Sequence, residues 1–355
     1  MTDTLETLGG WPGILAAIFR GEDLSAGAMT AALGSILDGT VDPVVIAAFA
    51  AALRTKGETV EEITGLVHAM RASGESVATE LVVIDTCGTG GDRLGTVNIS
   101  TTAALIVAGA GVAVCKHGGR AASSLSGSAD VLEALGVAIE LGPEGVNQCI
   151  AQAGIGFCFA QRFYPAMRFV APVRRTLGVP TIFNFIGPLS NPARSRHQVI
   201  GVSDPTMAEK LIGVLEATGS ERAMVFFGHD GLDELSISAP STIYELERLA
   251  DGSVRHTRCE LDPASLGIDP CTPSALAGGT PADNAGRVRA TLGGEGGPQR
   301  EIALLNAAAA LVVAGLVPDL AGGLLLAAKS VDDGAASAAL DLLISVSTAE
   351  AVKGH

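Results

Sequence analysis

An apolar run, Leu81 to Ile84, breaks off into "DTCGTGGDRLGTVNIST" and resumes as a second apolar run from Ala103 to Val107. Gly88, Gly90, Gly91 and Gly95 crowd the interruption, and Asp92 follows the densest cluster. A strand that feeds a helix through so much bare backbone belongs to an α/β fold. In such folds the loop N–H groups and the helix start can approach an anion closely. The spacing is neither of the common nucleotide loops: no GK[ST] follows, and the GxGxxG pattern is not met.

The same strand, turn and helix pattern recurs downstream. "VAVCKHG" reads as the next strand and "SADVLEALG" as a helix. "IGFCFA", "HQVIGVS" and "RAMVFFG" read as further buried strands, with a helix over 205–218 between the last two. Buried strands alternating with helices predict a mostly parallel central sheet flanked by helices. "STIYEL" and "SVRHTRCEL" look like a late hairpin or edge pair, and the last eighty residues return to helices. Before residue 78 the pattern is wholly helical. "GWPGILAAIFRG", "SAGAMTAALGSILDG", "DPVVIAAFAAALRTKG" and "TVEEITGLVHAMRASG" each carry helical apolar spacing and end in glycine. The fold class is therefore α/β, with a small helical N-terminal domain over 1–78 and a large α/β domain over 79–355. Helices near 165–178 are expected to pack on the small domain.

Three groups of residues carry chemistry, and all sit at predicted strand ends. Gly88, Gly90 and Gly91 form an anion nest, with Asn98, Ser100 and Thr101 opening the next helix as caps or phosphate contacts. Lys116, His117 and Arg120 leave the second strand into a Ser/Gly-rich loop, "CKHGGRAASSLSGSAD". Asp233 and Glu234 follow the strand "RAMVFFG", and adjacent carboxylates there suit Mg²⁺, which keeps waters and shares phosphate oxygens. Nest, cations and acids together describe a magnesium–pyrophosphate site. The formal charge of −15 argues against a nucleic-acid surface. The acidic N-terminus lacks a signal peptide's basic start, and a soluble cytoplasmic protein without membrane contact is expected. The six cysteines show no CxxC pair and read as reduced, buried thiols.

The segments "DTCGTGGD", "NIST", "KHGGRAASSLSGSADVLEALG", "PAMRFVAPVRRTLG", "FNFIGPLSNPA" and "DGLDELS", in that order, resemble the anthranilate phosphoribosyltransferase family of the nucleoside phosphorylase-like class. The resemblance covers essentially the whole chain. It implies transfer of ribose 5-phosphate from phosphoribosyl pyrophosphate (PRPP) to the amino group of anthranilate, with Mg²⁺, in tryptophan biosynthesis. It also implies a homodimer. Gly88, Gly91, Asp92, Thr96, Asn98, Ser100, Thr101, Lys116, Ser123, Ser124 and Ser128 match PRPP-contacting positions. Ser100, Asp233 and Glu234 match metal positions, and Arg174 matches the arginine that meets the acceptor's carboxylate. Gly88 also borders the acceptor, and His117 is the nearest candidate for a base. The acceptor side departs from the family pattern: Gly119 replaces an asparagine, Tyr164 a histidine and Gln161 a proline, and Phe169 stands where another histidine is common. The departures admit a different aromatic carboxylate as acceptor. A nucleoside phosphorylase is the more distant alternative, disfavoured by the acid pair and Arg174.

Overall fold

The computed structural model describes residues 4–92, 94–121 and 125–353. Four helices open the chain: α1 (Gly10–Phe19), α2 (Ala26–Leu37), α3 (Pro43–Lys56) and α4 (Val60–Ser73). Their starts are chemically marked. Ser25 accepts from the Ala28 N–H at 3.1 Å, and Asp42 accepts from Val44 at 2.7 Å ahead of Pro43. Thr59 and Glu62 form a reciprocal capping box. α2 and α4 touch at backbone distance, because a Cβ on Gly65 would lie 2.2 Å from the Ala26 carbonyl oxygen.

The seven strands are β1 (Ile84–Gly88), β2 (Val114–Gly118), β3 (Ile155–Phe159), β4 (His197–Gly201), β5 (Arg222–Gly228), β6 (Ser241–Arg248) and β7 (Val254–Leu261). They form one sheet in the order β3-β2-β1-β4-β5-β6-β7. The first five are parallel; β6 and β7 add an antiparallel hairpin at the edge, as the sequence predicts. Chain order reverses beside β1, so the crevice at its carboxyl end is the topological switch point where such sheets bind ligands. The glycine loop leaves the sheet there.

β1 begins three residues later than the apolar run implies. Leu81 and Val82 are exposed and stand outside the ladder. Helix α5 (Ile99–Gly109) is buried along nearly its whole length. Further along come α6 (Ser128–Leu135) and α7 (Pro143–Ala153). The sequence reading passed over α7, although Pro143 at its first turn and Gly154 in the left-handed conformation after it mark both ends. After β3 follow a single-turn α8 (Ala160–Phe163), a 3₁₀ turn (Pro165–Phe169), α9 (Ala171–Leu177) and a short α10 (Ile182–Phe185). The 3₁₀ turn packs on α2, and α9 packs on α3.

α11 (Pro205–Ala217) joins β4 to β5, and α12 (Pro281–Leu292), α13 (Pro298–Val313), α14 (Leu320–Asp332) and α15 (Ala335–Lys353) complete the chain. Among the described residues α15 alone is long and apolar enough to cross a membrane; here it packs on α5, α7 and α14. The cysteines only partly follow expectation. Cys87, Cys115, Cys149 and Cys158 are buried thiols, but Cys259 is exposed on the edge strand and Cys271 is half-buried.

Candidate active site

β1 and β4 pair in register down to Gly88 and Gly201, which end side by side. Across these two glycines lies the turn that carries Asp233 and Glu234. A Cβ on Gly88 would sit 2.4 Å from Asp233 Oδ2, and one on Gly201 would sit 1.7 Å from the Asp233 carbonyl oxygen. Only bare backbone lets the acid turn rest on the strand ends. Gly90 and Gly91 then take φ of +68° and +89°. The Gly90 N–H donates to Asp233 Oδ2 at 2.7 Å, so loop and acid turn form one structure.

Asp233 and Glu234 are each 8% exposed. Glu234 Oε1 accepts from the Ser100 N–H, the start of α5, at 3.1 Å. Burial raises the Glu234 carboxyl to about 7 against the pull of Lys116. Asp233 is raised well above the carboxylate range by burial, then by the negative charges of Asp92 and Glu234. Two buried acids held against their preference to ionise form a site that a divalent cation would satisfy. Among the described residues no cluster of three or more His, Cys, Asp or Glu has metal-holding geometry. Such a pair fits an ion that draws its other ligands from water and substrate oxygens, as Mg²⁺ does.

The acid turn is held from behind by Asn306 of α13. Its side chain accepts from the Leu235 N–H at 2.9 Å and donates to the Leu235 carbonyl at 3.0 Å. Lys116 is 1% exposed, and its ammonium donates to the Thr86 carbonyl and, at 3.4 Å, to Ser100 Oγ. Beneath it Asp85 is fully buried; Oδ1 accepts from the His117 N–H at 3.1 Å. Burial raises Asp85 to about 6, with Lys116 the main opposing influence. The sequence reading missed Asp85 and Asn306. The signal was present, since each is a polar residue set in a run of buried core residues.

The loop after β2 forms the opposite wall. His117 lines the cleft with its ring edge-on to Tyr164, centroids 5.6 Å apart. Burial lowers His117 to about 4 despite a hydrogen bond to the Gly187 backbone, so the ring is neutral at pH 7. Its Nε2 has no hydrogen-bond partner among the described residues. Arg174 reaches the cleft from α9. Burial lowers its pKa, and among the described residues no carboxylate pairs with it. A partly buried guanidinium without a counter-charge, lining an open cleft, can receive a carboxylate. A Cβ on Gly119 would meet only the Ala160 methyl at 3.8 Å, so neither packing nor a left-handed φ demands glycine there.

The cleft encloses about 330 Å³. Gly88, Gly91, Asp92, Thr96, Asn98, Ser100, Lys116, His117, Gly119, Ser128, Arg174, Asp233 and Glu234 all line it, and so does Asn184, which sequence reasoning did not single out. Three expectations change. Tyr164 is not on the cleft wall: it is 3% exposed behind His117, with its hydroxyl donating to the Ser190 carbonyl. Thr101 also lies behind the wall, 1% exposed, donating to Ser128 Oγ at 3.1 Å. The Asn98 side chain does not cap α5 but bonds to Ser126 and Asn284. Ser123 and Ser124 lie outside the described residues.

Comparison with known proteins agrees with this geometry. Residues 80–337 match the α/β domain of a glycosyl transferase family, and residues 12–74 match that family's helical bundle domain. An anthranilate phosphoribosyltransferase of Roseiflexus castenholzii is 51% identical over 332 residues, spanning 93% of this chain and 96% of the relative. One from Salinispora arenicola is 49% identical over 96% of this chain and 97% of its own. Among solved structures, the Thermus thermophilus anthranilate phosphoribosyltransferase superposes with a TM-score of 0.87 at 39% identity, covering 94% of this chain and 99% of its own. The Saccharomyces cerevisiae enzyme in complex with PRPP and Mg gives 0.86 at 26% identity, covering 96% and 98%. The chain belongs to the anthranilate phosphoribosyltransferase family.

Proposed function

We propose that this chain transfers the 5-phosphoribosyl group of PRPP to the amino group of anthranilate, releasing pyrophosphate, as a step of tryptophan biosynthesis. The observation that carries this reading is the make-up of one cleft. A glycine loop, Lys116 and a buried acid pair line it, and so does an arginine without a carboxylate partner. The likeness to relatives of that name, and to the yeast enzyme's PRPP and Mg complex, supports the same assignment.

In this reading Gly88–Asp92, Thr96, Asn98, Ser100, Lys116 and Ser128 receive the phosphates and ribose. Asp233 and Glu234, with Ser100, would hold Mg²⁺, which would supply charge neutralisation for the departing pyrophosphate. The acceptor nitrogen attacks C1′ of the ribose as the C1′–O bond to pyrophosphate breaks. The nitrogen then sheds one proton. An arylammonium is a strong acid, and neutral His117, the imidazole on the cleft wall, is the nearest candidate to take that proton. Arg174 fixes the acceptor carboxylate, and orientation carries much of the rate. Gly119 borders the acceptor and widens that end of the cleft. Tyr164 supports the His117 ring from behind.

The chain divides in this reading into a helical domain, 1–78, and a PRPP-binding domain, 79–355, with the 165–177 helices bridging them. We further propose a cytoplasmic homodimer. The shallow apolar face of α1 and α3, with Phe19 69% exposed, is the surface suited to a second copy, and the solution mass tests it.

The acceptor assignment is tested with Arg174→Ala. Wild type should prefer anthranilate over aniline, which lacks the carboxylate, by roughly 10- to 100-fold in kcat/KM, the worth of a charge-assisted pair. The variant should lose most of that preference while its KM for PRPP holds. An undiminished preference would remove Arg174 from the acceptor site.

A further inference from the structure

We propose that Asn284 is a positioning residue that ties the two substrate loops together from outside the cleft. The proposal rests on the reading of this cleft as the PRPP site. The second half of the loop after β1 is pinned by a segment that arrives from the far end of the chain. Thr96 bridges to Ala277 in antiparallel fashion, the Val97 N–H donates to the Leu276 carbonyl at 3.0 Å, and the Gly278 N–H donates to the Gly95 carbonyl at 2.7 Å. Asn284, in the first turn of α12, then reaches over this segment. It is 1% exposed and does not line the cleft.

Its Oδ1 accepts from the Gly279 N–H at 2.8 Å, and its Nδ2 donates to Asn98 Oδ1 at 2.8 Å. Asn98 in turn faces the loop after β2. Its Nδ2 donates to the Ser126 carbonyl at 3.1 Å, and its Oδ1 accepts from Ser126 Oγ at 3.2 Å. Asn98 Oδ1 thus takes two donors, one from each side, and fills both acceptor directions. The Asn98 side chain cannot rotate without breaking contact with α12 or with the Ser126 loop. Asn284 therefore sets the spacing between the Gly95–Asn98 stretch and the Ser126 loop, the two sides between which the phosphoribosyl group enters.

Asn284→Asp isolates this role. The introduced carboxylate still accepts from Gly279 but meets Asn98 Oδ1 as a second acceptor. Turning the Asn98 amide over would let it donate to that carboxylate, but would aim its Oδ1 at the Ser126 carbonyl. One contact is therefore lost in either orientation. The experiment measures PRPP binding with Mg²⁺, steady-state rates, and amide exchange of the ligand-free protein. The expected result is a PRPP Kd raised about ten-fold, with kcat at saturation within about three-fold of wild type. Exchange should quicken at 95–98 and 125–128 and stay unchanged in the core strands. Ser126→Ala in the Asn284→Asp background should add little to the Kd, because both changes open one network.

An unchanged Kd, additive effects, or faster exchange spread evenly over the protein would overturn the proposal. If Asn284→Asp does not fold, Asn284→Ala, which removes the bonds without adding charge, takes its place with the same expected direction. If wild type binds no PRPP, the reading of the cleft has failed; the exchange result then decides the tie between the loops by itself.

Discussion

Adding one methyl group at Gly88 separates the site from the fold. The new Cβ would stand 2.4 Å from Asp233 Oδ2 and 2.9 Å from its carboxyl carbon, where ordinary contact begins near 3.4 Å. The Asp233 oxygen must therefore retreat by about 1 Å, out of its 2.7 Å bond from the Gly90 N–H. The φ of Gly88 is not in the left-handed region, so alanine adds no backbone strain. Asp233 is charged once the metal binds, and losing a hydrogen bond to it then costs about 1.5–3 kcal/mol, which corresponds to roughly 10- to 100-fold in function. Gly88→Ala should fold, melt within a few degrees of wild type, and lose that factor in kcat/KM for Mg–PRPP. Half-saturation by Mg²⁺ should move to higher concentration. The assay is pyrophosphate release across a magnesium series, beside Gly119→Ala, whose Cβ meets only the Ala160 methyl at 3.8 Å. Gly88→Ala with a wild-type magnesium curve and rate would refute the claim that the acid turn rests on this strand end.

Three further outcomes follow from the same geometry. The Asp85 carboxyl is raised to about 6 from 3.8. Its stabilising contribution is therefore complete below about pH 4 and is lost as pH rises through 6. Asp85→Asn should gain stability relative to wild type between pH 4 and 7, by up to about 3 kcal/mol, in denaturant titrations of the ligand-free protein. His117 works in the opposite sense, because its lowered pKa costs stability as pH falls toward 4, so the variant-minus-wild-type difference is the quantity to plot. Asn306→Leu leaves the buried Leu235 N–H and carbonyl unpaired and should cost about 2–4 kcal/mol in thermal or denaturant unfolding. It should also weaken magnesium activation. Gly119→Asn should fold as wild type and lower the KM for anthranilate several-fold by adding about one hydrogen bond, read from steady-state kinetics.

Local chemistry made much of this protein legible in its residues. Helical apolar spacing closed by glycine announced the N-terminal helices, and the glycine run after β1 announced a loop that must approach an anion. Periodicity marked the strands, but it could not show that Leu81 and Val82 stand outside the sheet, since an exposed apolar pair reads like a buried one. What remained hidden were contacts between distant segments. Gly88 reads as part of an anion nest; that its missing side chain makes room for Asp233 becomes evident only when β1 and β4 end together. Asn284 and Asn98 are 186 residues apart, and nothing in either neighbourhood names the other. Tyr164 stands at an acceptor position by resemblance, yet its phenol reaches past the cleft to the Ser190 carbonyl. Position in a motif does not fix the direction of a side chain.

The central claim is tested most directly by following pyrophosphate release from PRPP with Mg²⁺ and anthranilate, beside substituted benzoates and a phosphate-plus-nucleoside control. Magnesium-dependent release with anthranilate, and silence in the nucleoside control, are the expected results. Release only with another carboxylate, or cleavage of a nucleoside by phosphate without metal, would contradict the claim.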